Sequence, residues 1–204
     1  MLIGAVLAVL AVGALSACKP VPDTYVAIGD SYTAGPLILN QSQSPLGCLR
    51  SDRNFPHRVR PAIDVAEFRD VSCSGADTRD LFAAQGVTPG PANAPQLDAL
   101  DFNTKVATIQ IGGNDIGFSS IVQDCVELNP WGSGCKGDFV SGGNDELRNR
   151  IAATAPKIDD VLVAAKERAQ RAEIFLVGYP TILPASGGGC WPVVPIIDSL
   201  SLIH

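Results

Sequence analysis

Tyr25-Val26-Ala27-Ile28 is a brief, wholly apolar, β-prone run that stops abruptly at Gly29. Runs of this length bounded by glycine read as buried strands. Val106–Ile111 and Ile174–Val177 are further candidate strands, each followed by glycine, and Val65–Val71 is a weaker one. Over residues 145–170, Leu147, Ile151, Ala155, Ile158, Leu162, Ala165 and Ala169 recur at spacings of three and four. That spacing predicts an amphipathic helix, which Pro156 is expected to kink or divide. Strands alternating with helical segments predict βαβ units, and so an α/β domain with a parallel sheet covered on both faces. Ligands bind beyond the carboxyl ends of the strands in such sheets, which directs attention to the loops after Ile28, Val71, Ile111 and Val177. Residues 36–56, 86–96 and 125–144, rich in Gly, Pro, Ser and Asn, read as long surface loops.

With 46% hydrophobic and 18% charged residues, the 204-residue chain can bury one substantial core. A net charge of −6, with Lys and Arg scattered, leaves no basic face for phosphates and argues against nucleic-acid binding. Leu2–Ala17 is almost unbroken apolar and small residues, shorter than the ~20 needed to span a bilayer, and reads as an export signal over residues 1–17. It ends in Leu15-Ser16-Ala17-Cys18, a pattern like a bacterial lipobox, in which Cys18 is lipidated. The alternative is ordinary secretory cleavage near Ala17. No Lys or Arg precedes Lys19, which departs from the usual signal and puts the start codon in question.

Six cysteines in an exported chain favour disulfides. The lack of a C-x-x-C pair, with only His57 and His204 as histidines, argues against a metal. Sequence order pairs Cys48 with Cys73 and Cys125 with Cys135. With Cys18 lipidated, five remain and Cys190 is the orphan, its partner expected downstream.

Three of the strand-end loops carry candidate chemistry. The first reads Gly29-Asp30-Ser31-Tyr32-Thr33-Ala34-Gly35 and presents a serine hydroxyl where the chain must turn, although serine in such a place commonly does no more than cap a helix. The second, Ser72-Cys73-Ser74-Gly75-Ala76-Asp77-Thr78, offers a glycine N–H, although a loop glycine is usually just a bend. The third, Gly112-Gly113-Asn114-Asp115, offers an amide donor, although it also suits a plain Asn-rich turn.

In order and together, these segments resemble the first three sequence blocks of the GDSL/SGNH hydrolases, over about residues 24–190, with the glycine- and cysteine-rich loops of the family's secreted bacterial esterase branch. The resemblance implies a three-layer α/β/α, flavodoxin-like hydrolase domain over residues 24–204. It implies Ser31 as nucleophile, with the Ser31 N–H, the Gly75 N–H and the Asn114 amide as oxyanion hole. Asp30 and Asp115 match motif positions and are expected to brace the turns. It further implies hydrolysis of small-molecule or lipid carboxylic esters through an acyl-serine, without cofactor. With the signal-like N-terminus, the expected form is an extracellular or envelope monomer whose only membrane attachment would be a lipid on Cys18.

The pattern breaks at the base. The family supplies one from an Asp-x-x-His motif near its end, whereas Asp198 and His204 stand six apart. His57, in Asn54-Phe55-Pro56-His57-Arg58, reads as a surface or partly buried histidine at the start of a helix. No later strand or closing helix follows Ile174–Val177. These breaks, with orphan Cys190, predict a chain shortened at its C-terminus. The alternatives are a non-catalytic envelope lipoprotein of the same fold, or a phospholipase or carbohydrate esterase of the same family.

Overall fold

The computed structural model describes residues 21–126 and 135–181. Cys18, Cys190, Asp198 and His204, and with them the expected signal segment, lipid site and missing last strand and helix, lie outside the described residues.

Strands β1 (Thr24–Gly29), β2 (Glu67–Asp70), β3 (Thr104–Gln110) and the last strand among the described residues, β6 (Glu173–Leu176), form one sheet. Its order is β2-β1-β3-β6 and every pairing is parallel. This is the α/β architecture expected from the sequence. Every residue of β1 is buried, as required of a central strand covered on both faces. Val26 and Ile28 point to one face, in register with Ala107 and Ile109 of β3. There they join Leu81, Leu97, Val161 and Ala165 in the main core. On the other face the Tyr25 ring stacks on Phe68, and its hydroxyl bonds Thr108 at 2.9 Å.

The short helices are α1 (Ser31–Ala34), α2 (Phe55–Val59), α3 (Phe118–Asp124) and α4 (Lys136–Phe139). The antiparallel strands β4 (Val140–Ser141) and β5 (Asn144–Asp145) precede the long helix α5 (Glu146–Arg168). Asp145 caps α5 by accepting from the Arg148 N–H at 3.0 Å. Of the two outcomes expected at Pro156, a kink or a division, division does not occur: α5 runs through it unbroken. Proline removes one backbone bond, whereas burial of Leu147, Thr154, Val161 and Ala165 fixes the helix along its whole length.

The expected long loops carry more structure than their composition suggests. A backbone bridge joins Gln41 to Ser51 and another joins Gln85 to Asn93. Cys48 is bonded to Cys73, and Cys125 to Cys135, as sequence order suggested. The second disulfide lies in a small separate cluster with Ile121, Phe139 and Leu147.

Candidate active site

The turn after β1 is fixed from several directions. The side chain of buried Gln96 accepts from the Gly29 N–H at 2.8 Å and donates to the Gly29 carbonyl at 3.1 Å. The Asp30 N–H donates to the Gln110 carbonyl at the end of β3, at 3.1 Å. Asp30 itself, 1% exposed, caps α1 by accepting from the Tyr32 N–H at 2.9 Å. Because Asp30 meets the capping need, Ser31 is not the cap that a serine in such a turn often is.

The loop after β2 is tied at both ends. Cys73 is held by its disulfide, the Ser74 N–H donates to the Cys48 carbonyl at 2.9 Å, and Gln85 donates to the Ser74 carbonyl at 2.9 Å. Buried Arg50 donates through Nε to the Ser72 carbonyl at 2.6 Å. Between these anchors Gly75 takes φ +81°, a left-handed conformation that glycine adopts without strain.

Two neighbouring side chains stitch this loop to the one after β3. Asn114 donates through Nδ2 to the Ala76 carbonyl at 2.7 Å. Asp115 accepts from the Thr78 N–H at 2.9 Å and from its hydroxyl at 2.6 Å, and also meets Lys157 Nζ at 3.2 Å. Asp30 and Asp115 are thus turn braces, as their motif positions suggested.

A cavity of about 440 Å³ opens at the carboxyl ends of β1 and β3. Ser31 and Asn114 both line it. Gly75 does not; it sits one residue from Ala76, the residue that Asn114 holds. The opposite wall is α5, through Ile151, Thr154, Ala155 and Ile158, with Phe118 and Tyr179 at other positions of the lining. Most of these side chains are apolar. Residues 36–56, one of the long surface loops read from the sequence, contribute nothing to this cavity.

Tyr179, in the loop after β6, was not singled out by sequence. Its hydroxyl donates to Asp30 Oδ2 and accepts from the Gly113 N–H at 2.9 Å. Its ring meets that of Tyr32 edge-on, centroids 5.0 Å apart. Burial pushes the Asp30 carboxyl above the usual carboxylate range, against the opposing pull of the Tyr179 hydroxyl and the Tyr32 N–H. Burial, and then the Asp30 charge, raise the Tyr179 phenol, which stays protonated and donating.

His57 takes no part in this cavity. Its Nδ1 lies 2.7 Å from Asn54 Oδ1 and 3.8 Å from Asp70, and its ring meets Phe68 edge-on. Asp70 also accepts from Asn54 at 2.7 Å and from the Ser72 hydroxyl at 2.6 Å, so this is a packed structural cluster. Among the described residues, no group of three or more His, Cys, Asp or Glu could hold a metal ion.

Residues 27–200 match the model of the GDSL-like Lipase/Acylhydrolase family. The chain belongs to this family. It is 37% identical over 178 residues to Lipase 2 of Streptomyces coelicolor, an alignment covering 84% of this chain and 58% of that protein. Its fold is similar to the crystal structure of an extracellular lipase from Streptomyces rimosus, with TM-score 0.68, 28% identity, and coverage of 88% of this chain and 68% of that one. It is also similar to phospholipase A1 from Streptomyces albidoflavus NA297, with TM-score 0.63, 26% identity, and coverage of 82% and 64%. The chain spans a little over half the length of the curated relatives it matches.

Proposed function

We propose that this family member hydrolyses carboxylic esters with an aliphatic acyl part, through an acyl-serine formed on Ser31. The observation that carries the reading is that Ser31 and Asn114, from turns 83 positions apart, line one largely apolar cavity while Asp30 meets the capping need of α1. The volume falls in the range of small-molecule sites, roughly 300–1,000 Å³. Walls of Ile111, Ile151, Ile158 and Phe118 suit a hydrocarbon chain better than a sugar, which favours a lipase or esterase over a carbohydrate esterase.

In this mechanism Ser31 Oγ attacks the ester carbonyl carbon as its proton passes to a base. The carbonyl oxygen becomes an oxyanion, met by the N–H of Ser31, the N–H of Gly75 and the Asn114 amide. One Asn114 hydrogen is committed to Ala76, and the other is free to donate. Donors fixed in advance in a site shielded from water contribute far more than the same groups in water. The tetrahedral intermediate collapses to expel the alcohol, and water then hydrolyses the acyl-serine. The base is a histidine, as in the family's Asp-x-x-His motif. His57 is committed to Asn54 and Asp70, so the base lies outside the described residues.

Export is part of the same reading: residues 1–17 as signal, with Cys18 as the residue for a lipid. The apolar Leu2–Ala17 run supports it, as do two disulfides, which persist in oxidising compartments.

Treating the full chain with a fluorophosphonate probe tests the nucleophile. The expected result is a single adduct on Ser31, and loss of both labelling and p-nitrophenyl butyrate turnover in Ser31→Ala. Labelling that survives in Ser31→Ala would overturn the proposal.

A further inference from the structure

We propose that the Tyr179 hydroxyl is a positioning group that locks the Ser31 turn and the Asn114 turn into one fixed relation. The inference rests on the reading of Ser31 and Asn114 given above. Three loops meet at this one oxygen. From the loop after β6 it donates to Asp30 Oδ2, while Asp30 Oδ1 holds the Tyr32 N–H at 2.9 Å. Both carboxylate oxygens are therefore committed, and the Ser31–Tyr32 peptide is bound between them and the helix. The same oxygen accepts from the N–H of Gly113, the residue before Asn114, at 2.9 Å. The chain of contacts thus runs from the Ser31–Tyr32 peptide to the Gly112–Gly113 peptide, one residue before Asn114.

The packing agrees. A Cβ on Gly113 would lie 3.1 Å from the Tyr179 oxygen and 3.2 Å from the ring carbon bearing it, so glycine at 113 leaves room for the phenol to reach its N–H. Tyr32 holds the other side of the ring, edge-on. The phenol is thus fixed by packing before its hydrogen bonds are counted. An oxyanion site works only when its donors already stand where the charge will develop. A displacement of about an ångström costs on the order of a hundredfold in rate. Tyr179 acts through Asp30 and Gly113, and no contact of its own with the reacting atoms is required.

Tyr179→Phe keeps the ring and removes the tie. In the full chain we expect kcat on p-nitrophenyl butyrate to fall about ten- to a hundredfold, with KM and the melting temperature little changed. Amide hydrogen exchange should quicken at Gly113 and Tyr32 together and stay unchanged at residues 46–54. In Asp30→Asn the further loss from Tyr179→Phe should shrink, because the two act on one turn. Gly113→Ala, which presses on the phenol from the other side, should reproduce the kcat loss with the hydroxyl still present. If Ser31→Ala is inactive while Tyr179→Phe turns over within twofold of the parent, the positioning role is overturned and the nucleophile stands. If Ser31→Ala remains active, the nucleophile reading fails, and exchange alone decides the tie: unchanged rates at Gly113 and Tyr32 overturn it.

Discussion

Asn114 and Ala76 are joined by a hydrogen bond of 2.7 Å that crosses from the loop after β3 to the loop after β2. The bond fixes the amide plane, so its remaining hydrogen has a set direction rather than a swept cone. It also keeps the Gly75 peptide within one residue of that amide. Two proposed oxyanion donors that stand 39 positions apart in the chain are thereby held as a unit.

Replacing Asn114 with alanine should lower kcat by about a hundred- to a thousandfold, the usual loss for one oxyanion donor. The stability loss should be no more than about 1 kcal/mol, the net value of the bond to Ala76. Steady-state kinetics beside a urea melt separates the two. A kcat within tenfold of the parent would remove Asn114 from the proposed oxyanion hole.

Gly75→Ala meets no steric obstacle, since the nearest atom to a new Cβ would be Gln85 Nε2 at 3.7 Å. Its cost comes from φ +81°, about 1–2 kcal/mol for a residue with a side chain. Relief of that strain would rotate the peptide, so activity should fall by more than the stability loss accounts for. Thermal melts and kinetics on the same preparation check this; an active, destabilised variant would contradict it.

Asp30→Asn should lose one hydrogen bond at every pH, because an amide offers one acceptor oxygen where the carboxylate offers two, and should gain stability on the parent as pH rises. Burial holds the Asp30 carboxyl above its ordinary value of 3.8, so the folded chain keeps this proton to higher pH than the unfolded chain does. Ionising the folded form therefore subtracts stability. The subtraction is absent below the ordinary value and grows as pH rises towards and through the folded one. Asparagine cannot ionise and can still accept from the Tyr32 N–H. Urea melts of parent and variant at pH 3, 5 and 7 should show a gap that shifts with rising pH in favour of the variant; a constant gap would refute the assignment.

The two disulfides should separate stability from activity. Opening the 25-residue Cys48–Cys73 span should cost about 3–4 kcal/mol by loss of the restraint on the unfolded chain, and opening the 10-residue Cys125–Cys135 span somewhat less. Only the first adjoins Gly75, so only the double alanine variant at Cys48 and Cys73 should also lower kcat. Calorimetry and turnover of both double variants test the difference.

The strand ends were readable because β1 is buried throughout and β3 is buried from Ala107 onward, which left short, β-prone, largely apolar runs in the chain. β2 was faint for the opposite reason: it lies at the edge of the sheet, its four residues run from Glu67 to Asp70, and none is fully buried. Spacing revealed α5 but not how its apolar residues divide. Val161 and Ala165 go into the core, whereas Ile151 and Ala155, equally apolar, face the cavity. Periodicity finds one stripe and cannot say that two different surfaces share it. Ser31 and Asn114 stood in recognisable motifs, and the structure brings both to the cavity. Tyr179 sat in an expected place, directly after a strand and a glycine, but a lone tyrosine there carries no signal until Asp30 is found opposite its hydroxyl.

The double hydrogen bond from Gln96 to Gly29 makes a distant loop answerable for the geometry of the Ser31 turn. The two surface excursions of the chain are therefore unequal for anyone wishing to graft onto this scaffold. Lengthening the stretch just before Gln96 would tug on the residue two places before Ser31. Foreign sequence spliced among residues 37–40, beside exposed Leu37 and Leu39, would leave that anchor untouched.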